Sequence, residues 1–221
     1  PFMNAFQTAV KFFQDCGLFI YPSILIMALG LAIAIERYVY LSRARSDNSK
    51  AWAKILPLLQ KGQFKEAQAL TAQSDAAVGK IVHYGLDRMD SPGRREDFDA
   101  AMEEGMMEIV PRLEKRTHYI ATFANVITLV GLLGTIIGLI KGFTAVAQVN
   151  PAEKSEMLSA SISIAMNNTA FALMVAIPFL LIHAFLQSKT SEIVDGLEAA
   201  KMSFLNVVTR IRAEQQASSA R

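Results

Sequence analysis

Hydrophobic residues are concentrated in three long stretches of the chain, and charged segments separate them. The stretches without Asp, Glu, Lys or Arg are residues 16–35 (20 residues), 117–140 (24 residues) and 157–188 (32 residues). A helix of about 20 apolar residues crosses the roughly 30 Å of hydrocarbon in a bilayer. Buried helices of a soluble protein are the alternative, but three such runs in 221 residues favour membrane spans. The pattern therefore predicts three transmembrane helices.

The segments between the spans also have helical periodicity, with turn signals at Gly62 and at 91–93. The helix predicted after 91–93 should run straight into the second span, and the third span should continue past the membrane. The predicted fold is thus an all-α membrane protein, with helices two and three extended into a cytoplasmic helical bundle. Its segments are an N-terminal amphipathic interfacial helix (1–15), transmembrane helix 1 (16–42), a cytoplasmic helical domain (43–116), transmembrane helix 2 (117–143), a periplasmic loop (144–156), transmembrane helix 3 (157–188) and a C-terminal cytoplasmic helix and tail (189–221).

The positive charges predict the orientation of these spans. Of the 22 Lys and Arg residues, 14 lie between Arg37 and Arg116, and five follow His183. Cytoplasmic segments near span ends carry an excess of Lys and Arg. The N-terminus and the 144–156 loop are therefore predicted to lie on the periplasmic side, and the C-terminus in the cytoplasm.

Charge and cysteine content narrow the classes of function. The formal net charge is only +2, which gives no indication of a nucleic-acid groove. The single cysteine, Cys16, excludes an intrachain disulfide and argues against a cysteine metal site. No nucleophile stands near a base at one membrane depth, so an enzyme lacks support. We expect no cofactor and no resident metal ion.

The second span carries glycines at regular intervals. A glycine every four residues forms a smooth edge on which another helix can pack closely. Pro178 of the third span is assigned to helix packing as well. The predicted packing residues on the second span are Gly131, Gly134, Gly138 and Gly142.

Polar residues form separate stripes within the second and third spans. A threonine there often bonds only the carbonyl four residues earlier in its own helix, and a cluster of amides can simply hold a bundle together. Polar groups at one depth can instead coordinate a hydrated cation or orient a chain of water. Since the spans are antiparallel, Thr135 and Thr169 are predicted to lie at similar heights. The candidate ion-pathway residues are Thr135, Thr128 and Asn125 on the second span, and Ser161, Ser163, Asn167, Asn168 and Thr169 on the third.

None of the 20 Asp and Glu residues lies inside the three uncharged runs. A proton carrier in the middle of a membrane normally needs a titratable group. If the chain conducts protons, another chain must therefore supply the carboxylate.

Three motifs resemble the MotA/TolQ/ExbB ion-channel family, nearest its three-span TolQ- and ExbB-like members. They are AIERYVYLSRA (34–44), GLLGTIIGLIKGF (131–143) and NNTAFALMVAIP (167–178). The resemblance implies an energy-coupling subunit of the bacterial inner membrane. It further implies a pentamer that turns around two copies of a single-span TolR-, ExbD- or MotB-like partner, whose membrane Asp carries the proton or binds sodium. The family's pore threonines match Thr135 and Thr169.

The chain also departs from the family pattern. Ile164 stands where many members have Glu, and Ile127-Thr128 stands where Ala-Pro is common. Asn167 and Asn168 replace smaller or apolar residues. Neutral oxygen ligands favour sodium, so we expect transport of H⁺ or Na⁺, with a transient sodium site at Thr135, Asn168 and Thr169. The alternative function is a structural membrane scaffold that conducts no ion.

Overall fold

The computed structural model describes residues 19–89 and 94–219, so the predicted interfacial helix (1–15) and the turn at 91–93 lie outside the described residues. Within those described ranges the chain is helical and contains no β-strand. This agrees with the predicted all-α fold. The helices are α1 (Ile20–Gln60), α2 (Phe64–Ala72), α3 (Ala77–Asp87), α4 (Arg95–Glu114), α5 (Thr117–Val146) and α6 (Lys154–Ser219).

The contacts divide the chain into two compact units. Of the described residues, the first unit comprises those up to Glu36 together with Arg116–Phe185, and the second comprises those between Arg37 and Lys115 and those after Phe185. Helices α1 and α6 therefore contribute to both units, whereas α5 belongs to the first and α2 to α4 belong to the second.

The first unit has an apolar outer surface. Three helical segments, in α1, α5 and α6, are long and apolar enough to cross a membrane. Only 22–33% of the most apolar 18-residue stretch in each segment is buried inside the protein. Large side chains such as Leu25, Leu129 and Leu181 point outward. A soluble bundle would bury such residues, so the exposed apolar surface is that of a membrane protein. The three predicted spans correspond to these segments.

Small residues allow the helices of the first unit to approach closely. Gly30 of α1 lies against the ring of Phe179 on α6, and a β-carbon on Gly30 would overlap that ring. Ala34 and Ala172 are also fully buried. Between helices in lipid, such van der Waals contacts supply much of the association energy, because lipid tails are as apolar as the side chains.

The second unit has a hydrophobic core of the kind found in soluble helical domains. Phe204 of α6 and Met102 of α4 are completely buried, and both contact Gly85 of α3. The chain leaves α1 through Gly62, whose φ of +71° lies in the left-handed region that glycine adopts without strain. The turn predicted at Gly62 is therefore confirmed.

The helix before the second span does not run straight into it, contrary to the prediction. Helix α4 ends at Glu114, and α5 begins at Thr117. Arg116 lies between them with a φ of 68°, which interrupts the ladder of backbone hydrogen bonds. Pro111 remains inside α4, so the break falls five residues after the proline.

The connection between α5 and α6 is short. Helix α5 ends at Val146 and α6 begins at Lys154, so the connection consists of residues 147–153. The predicted loop, 144–156, is three residues longer at each end. Helix α6 then continues without interruption to Ser219, past the apolar run that ends at residue 188.

Candidate functional site

The glycine edge of α5 lies directly against α6. A β-carbon added at any of these glycines would come within 3.2 Å of a side chain on α6. Since the partners recur every three or four residues along both helices, the two helices run antiparallel in one fixed register. The contacts pair Gly131 with Ala172, Gly134 with Asn168, Gly138 with Ala165 and Gly142 with Ser161.

This register brings Thr135 of α5 and Thr169 of α6 together, and their hydroxyl groups share a short hydrogen bond. Thr135 Oγ1 lies 2.9 Å from the carbonyl oxygen of Ala165 and 3.2 Å from that of Gly131. Thr169 Oγ1 lies 3.2 Å from the same Gly131 carbonyl. Both side chains are half-buried. The two threonines therefore lie at one height, as predicted from their distances to the loop.

The hydroxyl pair has more acceptors than protons. Each hydroxyl carries one proton and two lone pairs, and the acceptors within reach are two backbone carbonyls and the other hydroxyl. Either proton can therefore change its acceptor while the backbone stays in place. Such a pair can present a proton or a lone pair to a group outside the bundle, although a hydroxyl does not titrate at physiological pH.

Asn168 has a different environment from its neighbour Thr169. It is 2% exposed, and it is enclosed against Gly134. Its Oδ1 atom accepts no hydrogen bond from any described residue. An unpaired buried acceptor costs about 1–3 kcal/mol, so a buried amide of this kind calls for an explanation.

The remaining candidate polar residues do not join this cluster. Thr128 Oγ1 lies 2.9 Å from the carbonyl of Ala124 and Ser161 Oγ lies 2.9 Å from that of Met157, each four residues earlier in its own helix. Thr128 therefore makes the local hydrogen bond within its own helix that is the alternative to a role in the ion pathway. Two of the other polar candidates, Asn125 and Ser163, are exposed, and Asn167 is half-buried. Pro178, which is assigned to helix packing, is exposed on α6.

Two hydrogen-bond acceptors in this site could not be identified from the sequence. The carbonyl oxygens of Gly131 and Ala165 are acceptors for the threonine pair. Backbone groups inside a helix are normally occupied by the helix itself, so only the helix register identifies them as part of the site.

Charged groups of the first unit lie at the end of the spans near residues 36 and 116. Arg116 pairs with Glu36 at 3.5 Å, and both side chains are about half exposed. His183 Nδ1 lies 3.1 Å from the carbonyl of Thr117, to which it donates. Among the described residues, no three His, Cys, Asp or Glu side chains are grouped as metal ligands.

Comparison with known proteins decides the family. The model of the MotA/TolQ/ExbB proton channel family matches residues 73–199, more than half of the 221-residue chain. The chain belongs to this family. The match includes the glycine edge, Thr135 and Thr169, and it confirms the resemblance carried by the motifs at 131–143 and 167–178.

Individual relatives agree with this assignment. The chain is 25% identical over 203 residues to a biopolymer transport protein ExbB homologue of Methanothermobacter thermautotrophicus, covering 91% of this chain and 71% of that protein. It is 28% identical over 190 residues to an ExbB-like protein of a Synechocystis species, covering 85% and 74%. An 85-residue stretch is 33% identical to the ExbB protein of Aquifex aeolicus, covering 38% and 57%.

As a member of the MotA/TolQ/ExbB family, this chain is a membrane subunit of the ion-channel, energy-transducing kind. The family is one of channels and transport coupling, not one of enzymes.

Proposed function

We propose that this chain couples a proton or sodium motive force to mechanical work as a stator-like channel subunit of the bacterial inner membrane. The observation that carries the proposal is the hydrogen-bonded pair of Thr135 and Thr169, half-buried at one height within the apolar spans. Its exchangeable hydroxyl protons suit it to receive a carboxyl group or to order water beside one.

The carboxylate comes from a partner chain. The apolar spans of this chain contain no Asp or Glu, and a transported proton needs a titratable carrier at that depth. A single-span TolR-, ExbD- or MotB-like subunit supplies it as a membrane Asp. The names of the relatives, all biopolymer transport proteins of the ExbB type, support such a partner.

The assembly is a pentamer of this chain around two copies of the partner, and ion flow turns the pentamer. The apolar face left exposed on the first unit supports assembly with further helices. The N-terminus and residues 147–153 lie in the periplasm and the C-terminus lies in the cytoplasm, which the distribution of Lys and Arg supports.

The ion pathway runs beside the threonine pair and not through the three-helix bundle of one chain. The contacts from Gly131 to Gly142 leave no room between α5 and α6 for a hydrated ion. Asn168 then acts from behind Thr169, with its unpaired Oδ1 available to a buried water or to an ion that has shed its water and is held at the threonine pair. The transported ion is H⁺ or Na⁺, and a transient sodium site would use Thr135, Thr169 and Asn168.

Ion flux in proteoliposomes tests the proposal. The chain is co-expressed with its partner in an activated complex, and sodium and pH gradients are imposed separately. Thr135→Val removes the hydroxyl that reaches α6, and Thr128→Val is the matched control because Thr128 bonds only its own helix. We expect flux to fall at least tenfold in the first variant and to stay near the wild-type rate in the second.

Each outcome has a definite meaning. Equal flux in Thr135→Val and in wild type, with the pentamer intact, would contradict the role proposed for the threonine pair. Absence of flux in an intact wild-type complex would favour the structural scaffold, which conducts no ion. Flux driven by pH alone would identify the proton as the ion. Flux that requires sodium and is lost in Asn168→Ala would place a sodium ion at the cluster.

A further inference from the structure

The outward face of α4 has no partner among the described residues of the second unit. It lies opposite the side on which Met102 and Ile109 are buried. Met107, at its centre, is 70% exposed, more than any other large apolar side chain described in this unit. Methionine is enriched where proteins bind one another. This acidic face of α4 consists of exposed glutamates around small or apolar residues, namely Glu96, Glu103, Glu104 and Glu114 around Ala100, Met107 and Pro111.

A stripe of basic residues follows α1 in the same unit. At about 100° per residue, its four members lie within about 40° of one another around the helix. All are exposed, and none makes an ion pair with a carboxylate in the part of the chain that the structure describes. The last member continues the helix, since its backbone N–H lies 3.2 Å from the carbonyl of Pro57. The basic stripe consists of Arg43, Lys50, Lys54 and Lys61.

The two surfaces have the same spacing. Successive members of the basic stripe are 7, 4 and 7 positions apart, and so are Glu96, Glu103, Met107 and Glu114 on α4. Two such helices that run in opposite directions match over about 27 Å. Three of the matched positions join opposite charges, and at the fourth the methylene stem of a lysine can cover the exposed methionine. The matched positions are Arg43 with Glu114, Lys50 with Met107, Lys54 with Glu103 and Lys61 with Glu96.

The charges of the acidic face are available for such a contact. Glu104 and Glu114 make no ion pair within the described ranges. Glu103 pairs with Lys201 of its own chain, but its side chain remains 49% exposed. Asp47 lies near the basic stripe, and its counterpart in this alignment is Val110, so that no two acids meet.

Heights within one chain favour the same alignment. Helix α1 enters the second unit at Arg37 and α4 leaves it at Lys115, so the two helices run in opposite directions from one end of the unit. The cleft that Arg43 lines is also lined by Arg112 of α4, two residues before Glu114. Rotation about an axis along the membrane normal keeps each residue at its height. Neighbours in a ring therefore present Arg43 and Glu114 to each other within about one helical turn.

The acidic face points away from the core of its own unit, so it is suited to meet the basic stripe of another copy. A contact between two different faces is heterologous, and it repeats from copy to copy until a ring closes. We propose that the basic stripe of α1 binds the acidic face of α4 of the next copy of this chain. The inference rests on the ring assembly of the proposed function and assigns the contact between its neighbours.

Cysteine cross-linking in the intact complex tests this contact. In a Cys16→Ser background, Lys50→Cys and Met107→Cys are combined in one chain, and membranes that also contain the partner chain are oxidised. Each copy then offers its two cysteines to different neighbours, so we expect a ladder of cross-linked species up to the closed ring. Either cysteine alone should leave the chain monomeric on a denaturing gel.

Lys50→Cys with Ala100→Cys is the matched control. Ala100 lies on the same face of α4, but two turns, or about 10 Å, away from Met107 along the helix. Because a disulfide requires α-carbons within about 7 Å, we expect a ladder about tenfold weaker or absent. Equal ladders from the Met107 and Ala100 pairs would overturn the proposed contact.

Charge reversal tests the ion pairs. In the Lys50→Cys, Met107→Cys chain, Arg43→Glu should weaken the ladder about threefold to tenfold, and adding Glu114→Arg should restore it. Lys65→Glu is the control for the charge change, since Lys65 is exposed, makes no ion pair with the described residues and lies on α2, outside the stripe. An equal loss in Arg43→Glu and Lys65→Glu, or no restoration by Glu114→Arg, would overturn the proposed pairing.

The contact and the proposed function can fail separately. A complex that forms a ring and conducts ions but gives no ladder would overturn the contact and leave the function in place. A ladder in a complex that conducts no ion would support the contact and contradict the channel.

Discussion

Gly131 of α5 lies so close to Ala172 of α6 that a methyl group on the glycine would overlap the alanine β-carbon. Alanine has no rotamer into which it could withdraw, so the two helix backbones would have to separate. We expect Gly131→Ala to destabilise the protein by about 1–3 kcal/mol, the usual cost of overpacking. Thermal unfolding of the complex in detergent measures the change.

Gly196 provides the opposite case within the same chain. It also lies inside a helix, α6, but a β-carbon there would meet no atom within 4 Å. Gly196→Ala should therefore stabilise the protein by about 0.5–1 kcal/mol, because alanine is the better helix former. If Gly131→Ala raised stability as Gly196→Ala does, contact between α5 and α6 would not be the reason that Gly131 is a glycine.

The Thr135–Thr169 hydrogen bond predicts a measurable coupling between the two side chains. Hydrogen bonds between membrane helices contribute about 0.6 kcal/mol on average. A double-mutant cycle of Thr135→Val and Thr169→Val should give a coupling free energy of that size. The same cycle with Thr128→Val and Thr169→Val should give almost none, since Thr128 bonds only within α5. Equal coupling in both cycles would mean that the hydroxyls do not interact directly.

Arg116 is strained in a way that glycine would relieve. A non-glycine residue in the left-handed region costs about 1–2 kcal/mol, and Arg116 has a φ of 68°. Its ion pair with Glu36 is half exposed and offsets at most about 1 kcal/mol of this. Arg116→Gly should thus leave stability unchanged or raise it by about 1 kcal/mol.

The control for Arg116→Gly is Arg112→Gly, in the last turn of α4, which should lower stability by about 0.5–1 kcal/mol because glycine is a poorer helix former than arginine. Arg116→Val should be worse than either, since a β-branched residue tolerates positive φ poorly. A loss of stability in Arg116→Gly as large as in Arg112→Gly would show that the conformation at 116 carries no strain.

Lys201 predicts a pH dependence of the second unit. Its Nζ atom lies 2.6 Å from Glu103 and 3.2 Å from Asp99, and the side chain is only 13% exposed. The hydrogen bond to Glu103 raises the pKa of Lys201 above its ordinary value of 10.5. Partial burial lowers this pKa, but by less than the hydrogen bond raises it. The folded state therefore favours the ammonium form. The resulting stabilisation is fully present below pH 10.5 and is lost as the pH rises through the higher folded-state pKa.

Comparison of wild type with Lys201→Met by thermal unfolding tests this dependence. We expect the variant to be less stable by about 1 kcal/mol at neutral pH, since both carboxylates are half exposed and screened by solvent. The difference should shrink above pH 10.5. A difference that persisted unchanged there would mean that Lys201 acts through packing of its methylene groups and not through its charge.

Periodicity in the sequence predicts the glycine edge and the common height of Thr135 and Thr169, because both follow from helix geometry and antiparallel spans. It does not predict that Asn168 is enclosed while Thr169 stays half-buried. Successive residues on a helix differ by about 100°, so a small uncertainty in helix phase exchanges an inward side chain for an outward one.

Two other features also depend on more than local sequence. The break at Arg116 lacks the glycine or asparagine that usually marks a left-handed residue, so the helical pattern appears continuous through it. The ion pairs of Lys201 join α6 to residues 98 and 102 positions earlier in the chain. Only the packed helices bring such distant charges together.

The stacked contacts between α5 and α6 finally limit where this chain can change in length. One residue inserted between Gly131 and Gly142 would rotate part of the glycine edge by about 100° and turn bulky side chains such as Leu133 towards α6. Residues 147–153 lie outside both helices and can absorb an insertion while every contact keeps its partner. An epitope tag or a labelling site therefore belongs in that connection, where a length series should leave assembly intact.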